Sequence, residues 1–328
     1  MSFNTVADNH RYYAFARHAL VEALTIAGVK TGDNVLIPAL ICKDVVAAIH
    51  TVGATPSFYD VTEALSPVSF PSLPRTTAVI AVNYFGFAQD LEVFNSFCTE
   101  VGAKLIEDNA HGYLSADHTG ALLGTRACVG ITSIRKTIRI PDGAQLSINN
   151  PDFLRFAPGQ LPFRHQNLGA RFTLQTILVK LQKILRFPLL RWSQAAIRVV
   201  RRIATGSTLP ISSPNAEFEK IDVAAPRDSS MKRVGKLDIN MEIQRRRSLY
   251  NDISRLIADD LAIRVFDSLP EHCVPYGFPF YGDIQTANLV DKRVRHLGVE
   301  VINWPELPES VCRNAPDHYK NLWLVNFL

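Results

Sequence analysis

Short apolar runs alternate with helix-spaced stretches through the first half of the chain, and this alternation constrains the fold more than any other feature. Phe15 to Gly28 carries apolar residues at helical spacing, Val35-Leu36-Ile37 is a short buried strand, and Val45 to Val52 is helical again. Ser57-Phe58-Tyr59-Asp60 and Thr77-Ala78-Val79-Ile80-Ala81-Val82 read as strands, Leu91 to Val101 as a helix, and Lys104-Leu105-Ile106-Glu107-Asp108 as the next strand. Two more strands are expected at Cys128-Val129-Gly130-Ile131-Thr132 and Ala144-Gln145-Leu146-Ser147-Ile148. Such alternation predicts an α/β protein with a mostly parallel sheet and helices on both faces. In that architecture functional groups gather at the C-terminal ends of strands and in the loops that follow them.

A chain of 328 residues, 47% of them hydrophobic, can bury one large core and a smaller one. Met1-Ser2-Phe3-Asn4 lacks the charged and apolar regions of a signal peptide, and no run approaches ~18 apolar residues, so a cytoplasmic location is expected. The five cysteines, Cys42, Cys98, Cys128, Cys273 and Cys312, are scattered with no Cys-x-x-Cys pair, which points to reduced thiols and to no metal site. A formal charge of +4 is too small to imply a nucleic-acid partner.

The charge distribution says more. From Phe153 to Ala216 there is no acidic residue, while cations recur from Arg164 to Arg202 and Leu174, Ile177, Leu178, Leu181 and Leu185 fall at helical spacing. This predicts a basic amphipathic helical insert at about 160–205, read first as a helix packed on the domain or on a partner subunit with solvated cations. Attraction of an anionic nucleotide-sugar diphosphate and weak contact with an anionic membrane surface are the two functional alternatives. Ser207 to Ser230, rich in Ser, Pro and Ala, looks like a connection, which divides the chain into a large domain at 1–228 and a small domain at 229–328. Beyond it, a long helix is expected from Leu237 to Leu256, including Gln244-Arg245-Arg246-Arg247, then a strand at Val274–Phe280, a helix at Asp291–Leu297 and a strand and turn at Val299–Pro305.

Two side chains carry the chemistry. Asp108 closes an apolar strand, so its carboxylate must face a polar cleft or be paired, a helix N-cap being the bland alternative. Lys136 lies in Ser133-Ile134-Arg135-Lys136, seven residues before Gly143. Flanked by Arg135 and Arg139, it could be an ordinary loop lysine. A strand-end carboxylate and a lysine on a following loop are nevertheless what a pyridoxal phosphate enzyme needs: the amine condenses with the cofactor aldehyde, and the carboxylate keeps the pyridine nitrogen protonated.

Ile106-Glu107-Asp108-Asn109-Ala110-His111, Gly124-Thr125 and Ser133-Ile134-Arg135-Lys136 together resemble the DegT/DnrJ/StrS family of sugar aminotransferases, from about Tyr13 to Leu146 and more loosely beyond. The resemblance implies the pyridoxal phosphate (PLP)-dependent transferase fold type I, of the aspartate aminotransferase kind, with a smaller C-terminal α+β domain. It implies a Lys136 Schiff base, Asp108 at the ring nitrogen, His111 near the phenolic oxygen and Ser133 as a phosphate ligand. By the same resemblance, Ala16-Arg17-His18-Ala19-Leu20 opens a helix whose N–H groups cradle the phosphate. Here Arg17 and His18 replace the small Gly-Thr or Ser-Thr pair often found there, and Cys42 stands where many relatives place an aromatic ring over the pyridine. Relatives also commonly carry a substrate-side or structural aromatic at the position of Tyr84-Phe85-Gly86, and Gly86 suggests close backbone approach.

The reaction implied is transfer of an amino group, with glutamate as the usual donor, to a 3-keto or 4-keto deoxysugar nucleotide. A homodimer whose sites borrow residues from the neighbouring subunit is implied too. Relatives often end in a Leu-Pro-x-His stretch with no counterpart after Leu324, which points to a shortened small domain. Two rivals remain: a catalytically reduced relative acting as a binding or scaffold component of polysaccharide biosynthesis, and a sugar dehydratase. Dehydrating relatives usually replace the lysine by histidine, so Lys136 argues against the second.

Overall fold

A computed structural model describes residues 9–71, 76–167, 169, 172–174, 177, 213, 215–257 and 261–327. Most of the basic insert expected at 160–205, including Leu178, Leu181 and Leu185, lies outside the described residues.

The main sheet has seven strands: β1 (His10–Tyr13), β2 (Asn34–Pro38), β3 (Thr55–Tyr59), β4 (Thr76–Val82), β5 (Lys104–Asn109), β6 (Val129–Thr132) and β7 (Ala144–Ile148). Their order across the sheet is β1-β7-β6-β5-β4-β2-β3. The five strands β3, β2, β4, β5 and β6 run parallel, while β7 and β1 close one edge antiparallel. Val79, Ile80 and Ala81 on β4 are all fully buried, as expected of strands covered on both sides, whose sequences are continuously apolar rather than alternating. Helices α1 (Ala16–Ile26) and α2 (Lys43–Thr51) pack on one another, with α1 also against β6 and β7, and α3 (Glu92–Val101) packs on β4 and β5. The expected mostly parallel α/β sheet with flanking helices is therefore what forms. The antiparallel strand β1 was not expected, because four residues are too few to show a period.

The second sheet is antiparallel. Beyond α4 (Asp228–Val234) and α5 (Ile239–Leu256), strands β8 (Ile263–Arg264), β9 (Gly277–Tyr281), β10 (Glu300–Asn303) and β11 (Leu322–Asn326) pair in the order β10-β11-β9-β8, with α6 (Ile284–Val294) packed on β10 and α5. Val325, Leu324 and Phe278 are buried in the core, so the last described strand is interior to its sheet. Two single-turn helices, α7 (Glu309–Cys312) and α8 (Asp317–Lys320), lie between β10 and β11.

The stretch read as a plain connection is more tightly held than its composition suggests. Residues 215–227 pack along α1 and α2: the Ala14 N–H donates to the Ala224 carbonyl at 2.7 Å, and the Ile221 N–H donates to Thr51 Oγ1 at 3.0 Å. Buried Glu217 accepts the Glu309 N–H at 2.7 Å, tying the stretch to the C-terminal residues.

Gly86 shows the close approach expected of it. Its φ is +92°, and a Cβ there would lie 2.7 Å from the Val274 carbonyl oxygen. Gly86→Ala should therefore cost about 2 kcal/mol or more through left-handed strain and collision with backbone. Urea unfolding measures the loss; a shift within error would show that the turn relaxes freely.

Candidate functional site

The register of the parallel strands brings the site residues to one level. Val82 on β4 pairs with Asp108 on β5, and Asp108 pairs with Ile131 on β6, so three adjacent strands end in one row. All three residues line a cavity of about 250 Å³ at the C-terminal edge of the sheet. Arg17, Cys42, His111, Ser133, Arg135, Lys136, Tyr276 and Trp304 also line it. Its volume is just under the ~300 Å³ lower end for drug-sized ligands, suited to a single substituted ring.

Asp108 is buried, and one carboxylate oxygen accepts the Ala110 N–H at 2.8 Å. Burial pushes its pKa up, while that hydrogen bond and the Lys136 charge pull it down. Lys136 closes a 3-10 turn, Ile134–Lys136, whose apolar Ile134 is anchored in a small core with Ile138, Ile140 and Met231. The Lys136 Nζ lies 3.2 Å from His111 Nε2.

His111 is held by rings. Phe85 and Tyr276 lie parallel to it, at centroid distances of 5.7 and 4.7 Å, and Trp304 packs edge-on at 5.3 Å. The Phe85 backbone has φ +55°, a conformation that costs a bulky residue about 1 kcal/mol or more. In it the Phe85 N–H donates to His111 Nδ1 at 3.4 Å and the Phe85 carbonyl accepts the Tyr276 N–H at 2.8 Å. A neutral ring has one acceptor nitrogen: a charged Lys136 amine donates to Nε2 and places the ring proton on Nδ1, whereas a neutral amine can accept an Nε2 proton while Nδ1 accepts from Phe85.

Burial, and then the Lys136 charge, lower the His111 pKa well below 6.5. The unfolded chain therefore binds a proton near pH 6.5 that the folded ring refuses, and stability falls as pH drops below 6.5, by up to ~1.4 kcal/mol per pH unit for this group. Buried His18 and half-buried His10 carry the same sign, and Asp108, raised by burial, carries the opposite one. Comparing wild type with His111→Phe, which keeps the stacking, isolates the one ring: its melting temperature should fall less between pH 7 and pH 5.5. Parallel curves for the two proteins would contradict a neutral buried His111.

The other end of the cavity is cationic. Arg17 in the first turn of α1 and Arg135 both pack on the Phe15 ring, at 5.1 and 5.0 Å, and Arg17 also pairs with Asp44 at 3.0 Å. The Ser133 hydroxyl and Arg135 Nε are buried without a hydrogen-bond partner. A helix N-terminus, two guanidiniums and an unsatisfied hydroxyl form an anion-binding pole. Cys42 lines the cavity at the start of α2, and burial raises its thiol pKa to about 11, so it packs as a protonated, polarizable group.

Two expected residues are not brought to the cavity. His18 turns to the extended stretch, where its Nδ1 accepts the Ala224 N–H at 3.1 Å, and the Ala19 methyl is buried in the main core. Their backbone N–H groups donate to the Phe15 carbonyl, at 3.0 and 3.3 Å. The cause is helical geometry: only the first amides of a helix lack internal partners, and with α1 starting at Ala16 those belong to Ala16 and Arg17. Sequence reasoning missed Phe15, Tyr276 and Trp304 as cavity residues. The aromatic preceding the Arg17 helix was a usable local signal for Phe15; the other two come from residues far along the chain.

The sheet and flanking helices are those of PLP-dependent transferases of fold type I, the fold shared with solved aminotransferases. The aminotransferase TlmJ from Streptoalloteichus hindustanus superposes with a TM-score of 0.64 at 18% identity, over 99% of this chain and 81% of TlmJ. Residues 14–153 match the DegT/DnrJ/EryC1/StrS aminotransferase family, which bears out the resemblance read from the sequence. Over 143 residues the chain is 32% identical to GDP-perosamine synthase of Vibrio cholerae, and over 146 residues 30% identical to the L-glutamine:2-deoxy-scyllo-inosose aminotransferase of Streptoalloteichus tenebrarius. Each match covers 42% of this chain, and the chain spans 38% and 34% of those two relatives.

Proposed function

We propose that this protein is a PLP-dependent aminotransferase that moves an amino group, with glutamate as donor, to a keto-deoxysugar nucleotide. The observation that carries the reading is that a buried carboxylate, a lysine amine and an unsatisfied buried hydroxyl beside two arginines line one ring-sized cavity. These residues fit the group: Asp108 suits a ring nitrogen, Lys136 an aldehyde, and Ser133, Arg17, Arg135 and the first amides of α1 a phosphate.

When bound, pyridoxal phosphate would supply an aldehyde for covalent attachment and a ring that accepts electrons from the substrate. Lys136 would hold the cofactor through its amine, and that amine, when free, would move a proton at the donor's α-carbon as general base and acid. Asp108 keeps a proton on the ring nitrogen. His111 sets its Nε2 beside the Lys136 amine as a hydrogen-bond partner, and the aromatic cluster around it excludes water. Residues 1–228 serve as the cofactor-binding domain and 229–328 as the small domain, in a homodimer.

The rival scaffold reading has no observation of its own. With Cys42 in place of an aromatic ring, Asp108, Lys136, Ser133 and the two arginines still line the same cavity. Purified protein given pyridoxal phosphate should turn yellow, and borohydride should fix the cofactor on the Lys136 peptide. Glutamate should then yield 2-oxoglutarate with at least one member of a panel of keto sugar nucleotides. Absence of the adduct sinks the enzyme reading; an adduct without turnover on any acceptor favours the scaffold.

A further inference from the structure

We propose that Arg246 is a positioning residue for Lys136: its guanidinium fixes the carbonyls that close the lysine turn to the segment that holds the Tyr276 ring on His111. Arg246 lies in a run of three arginines on α5, Arg245, Arg246 and Arg247, and such a charge run on a helix is ordinarily a solvated face. In the structure the Arg246 side chain is 0% exposed.

Every N–H of that guanidinium is used. Nε donates to Glu242 Oε1 at 2.8 Å, one terminal nitrogen donates to the Pro275 and Tyr276 carbonyls, both at 3.1 Å, and the other to the Thr137 carbonyl at 2.6 Å and the Lys136 carbonyl at 3.4 Å. A guanidinium has five N–H donors in a rigid plane, so this set leaves it no spare bond and no freedom to turn. Although burial lowers its pKa to about 10, the Glu242 carboxylate favours the charged form, and the group is a cation at neutral pH.

The connection to the site is short. Tyr276, whose carbonyl Arg246 holds, lies parallel to His111, and His111 faces the Lys136 amine; on the other branch Arg246 holds the Lys136 carbonyl itself. Both the backbone and the side-chain neighbour of Lys136 are thus tied to one planar group on a helix more than a hundred residues away in sequence. A lysine in this place could keep the charge but not the plane, and its three donors could not reach five acceptors.

The proposal rests on Lys136 being the reactive amine, and the test separates the two. In cofactor-free protein, Lys136 of Arg246→Lys should acetylate with acetic anhydride about threefold faster than in wild type, because a loosened turn exposes the amine. The same variant should form the borohydride-trapped adduct with pyridoxal phosphate about tenfold more slowly, because the exposed amine is misaligned. Arg247→Lys is the control: Arg247 holds the Pro270 and Cys273 carbonyls, both at 2.7 Å, and none in the lysine turn. It should lower the melting temperature but leave both rates at wild-type values. If Arg246→Lys precipitates, Glu242→Gln, which weakens the Nε contact and the Arg245 contacts to the same carboxylate but leaves the four carbonyl contacts of Arg246, is read by the same two rates. Wild-type rates in an Arg246 variant with a lowered melting temperature would reduce Arg246 to a structural role and overturn the proposal. A wild-type protein that never forms the adduct would instead overturn the proposed function.

Discussion

Lys136→Ala protein should bind pyridoxal phosphate weakly, remain colourless after borohydride and dialysis, and lose turnover by ~10⁴-fold or more, since one substitution removes both the covalent attachment and the proton carrier. The fold should survive. The Lys136 side chain contributes one contact, to His111 Nε2, while the turn is held by its carbonyls and by Ile134, none of which the substitution touches. A melting temperature close to wild type together with absent adduct is the expected pair of results. Lys136→Arg should be as inactive, because a guanidinium stays protonated and cannot condense with an aldehyde. An alanine variant retaining more than about a hundredth of wild-type turnover would require another residue to carry the proton, a loss smaller than the upper range for general acid–base catalysis.

The residues legible in the sequence are those whose signal is local. Asp108 ends an apolar run, Ser133 and Lys136 share one short turn, and His111 sits three residues past Asp108, so the words themselves marked the place. The strands β2, β4 and β5 were legible for the same reason, since buried parallel strands carry runs of Val, Ile, Leu and Ala. What escaped depends on contacts between distant segments. Tyr276 and Trp304 reach the cavity only through the pairing of the second sheet and the Phe85 turn, and no periodicity encodes that. Arg246 was invisible because a charged triplet on a helix is ordinarily solvated, and only the five carbonyl and carboxylate acceptors around it reverse that expectation. His18 misled in the opposite direction: the resemblance placed it in the segment whose N–H groups cradle a phosphate, whereas its amide bonds the Phe15 carbonyl and the extended stretch at Ala224 claims its ring.

Glu107→Ala should be the most destabilising single change outside the cavity, costing about 3–5 kcal/mol. Side chains on a strand alternate between faces, so while Asp108 points to the cavity Glu107 points away from it, and Glu107 is fully buried. It is also fully satisfied. Its Oε1 accepts from Arg126 Nε at 2.9 Å, from an Arg126 terminal nitrogen at 2.6 Å and from Asn83 Nδ2 at 2.8 Å, and its Oε2 accepts the Arg126 backbone N–H at 2.9 Å. Arg126 in turn reaches the Gln89 carbonyl, Asn83 Oδ1 and Asp117. Removing the carboxylate leaves a guanidinium that is 12% exposed with its main counter-charge gone and a buried amide unpaired, and the cost of those orphaned groups exceeds the net worth of the pair itself. Against a total stability of ~5–15 kcal/mol, such a loss should lower the melting temperature by roughly 10 °C. The double variant Glu107→Leu, Arg126→Met should recover part of the loss, because it removes the buried pair together and the Asp117 carboxylate keeps its hydrogen bonds from Thr119 and Ala121. Thermal melts of the three proteins decide the matter: a single variant within about 1 kcal/mol of wild type would mean the network is solvated in the folded protein, contrary to its geometry. Because Glu107 and Asp108 are neighbours on β5, the same network fixes the strand end that aims the cavity carboxylate, and the melting loss should come with slower adduct formation at Lys136.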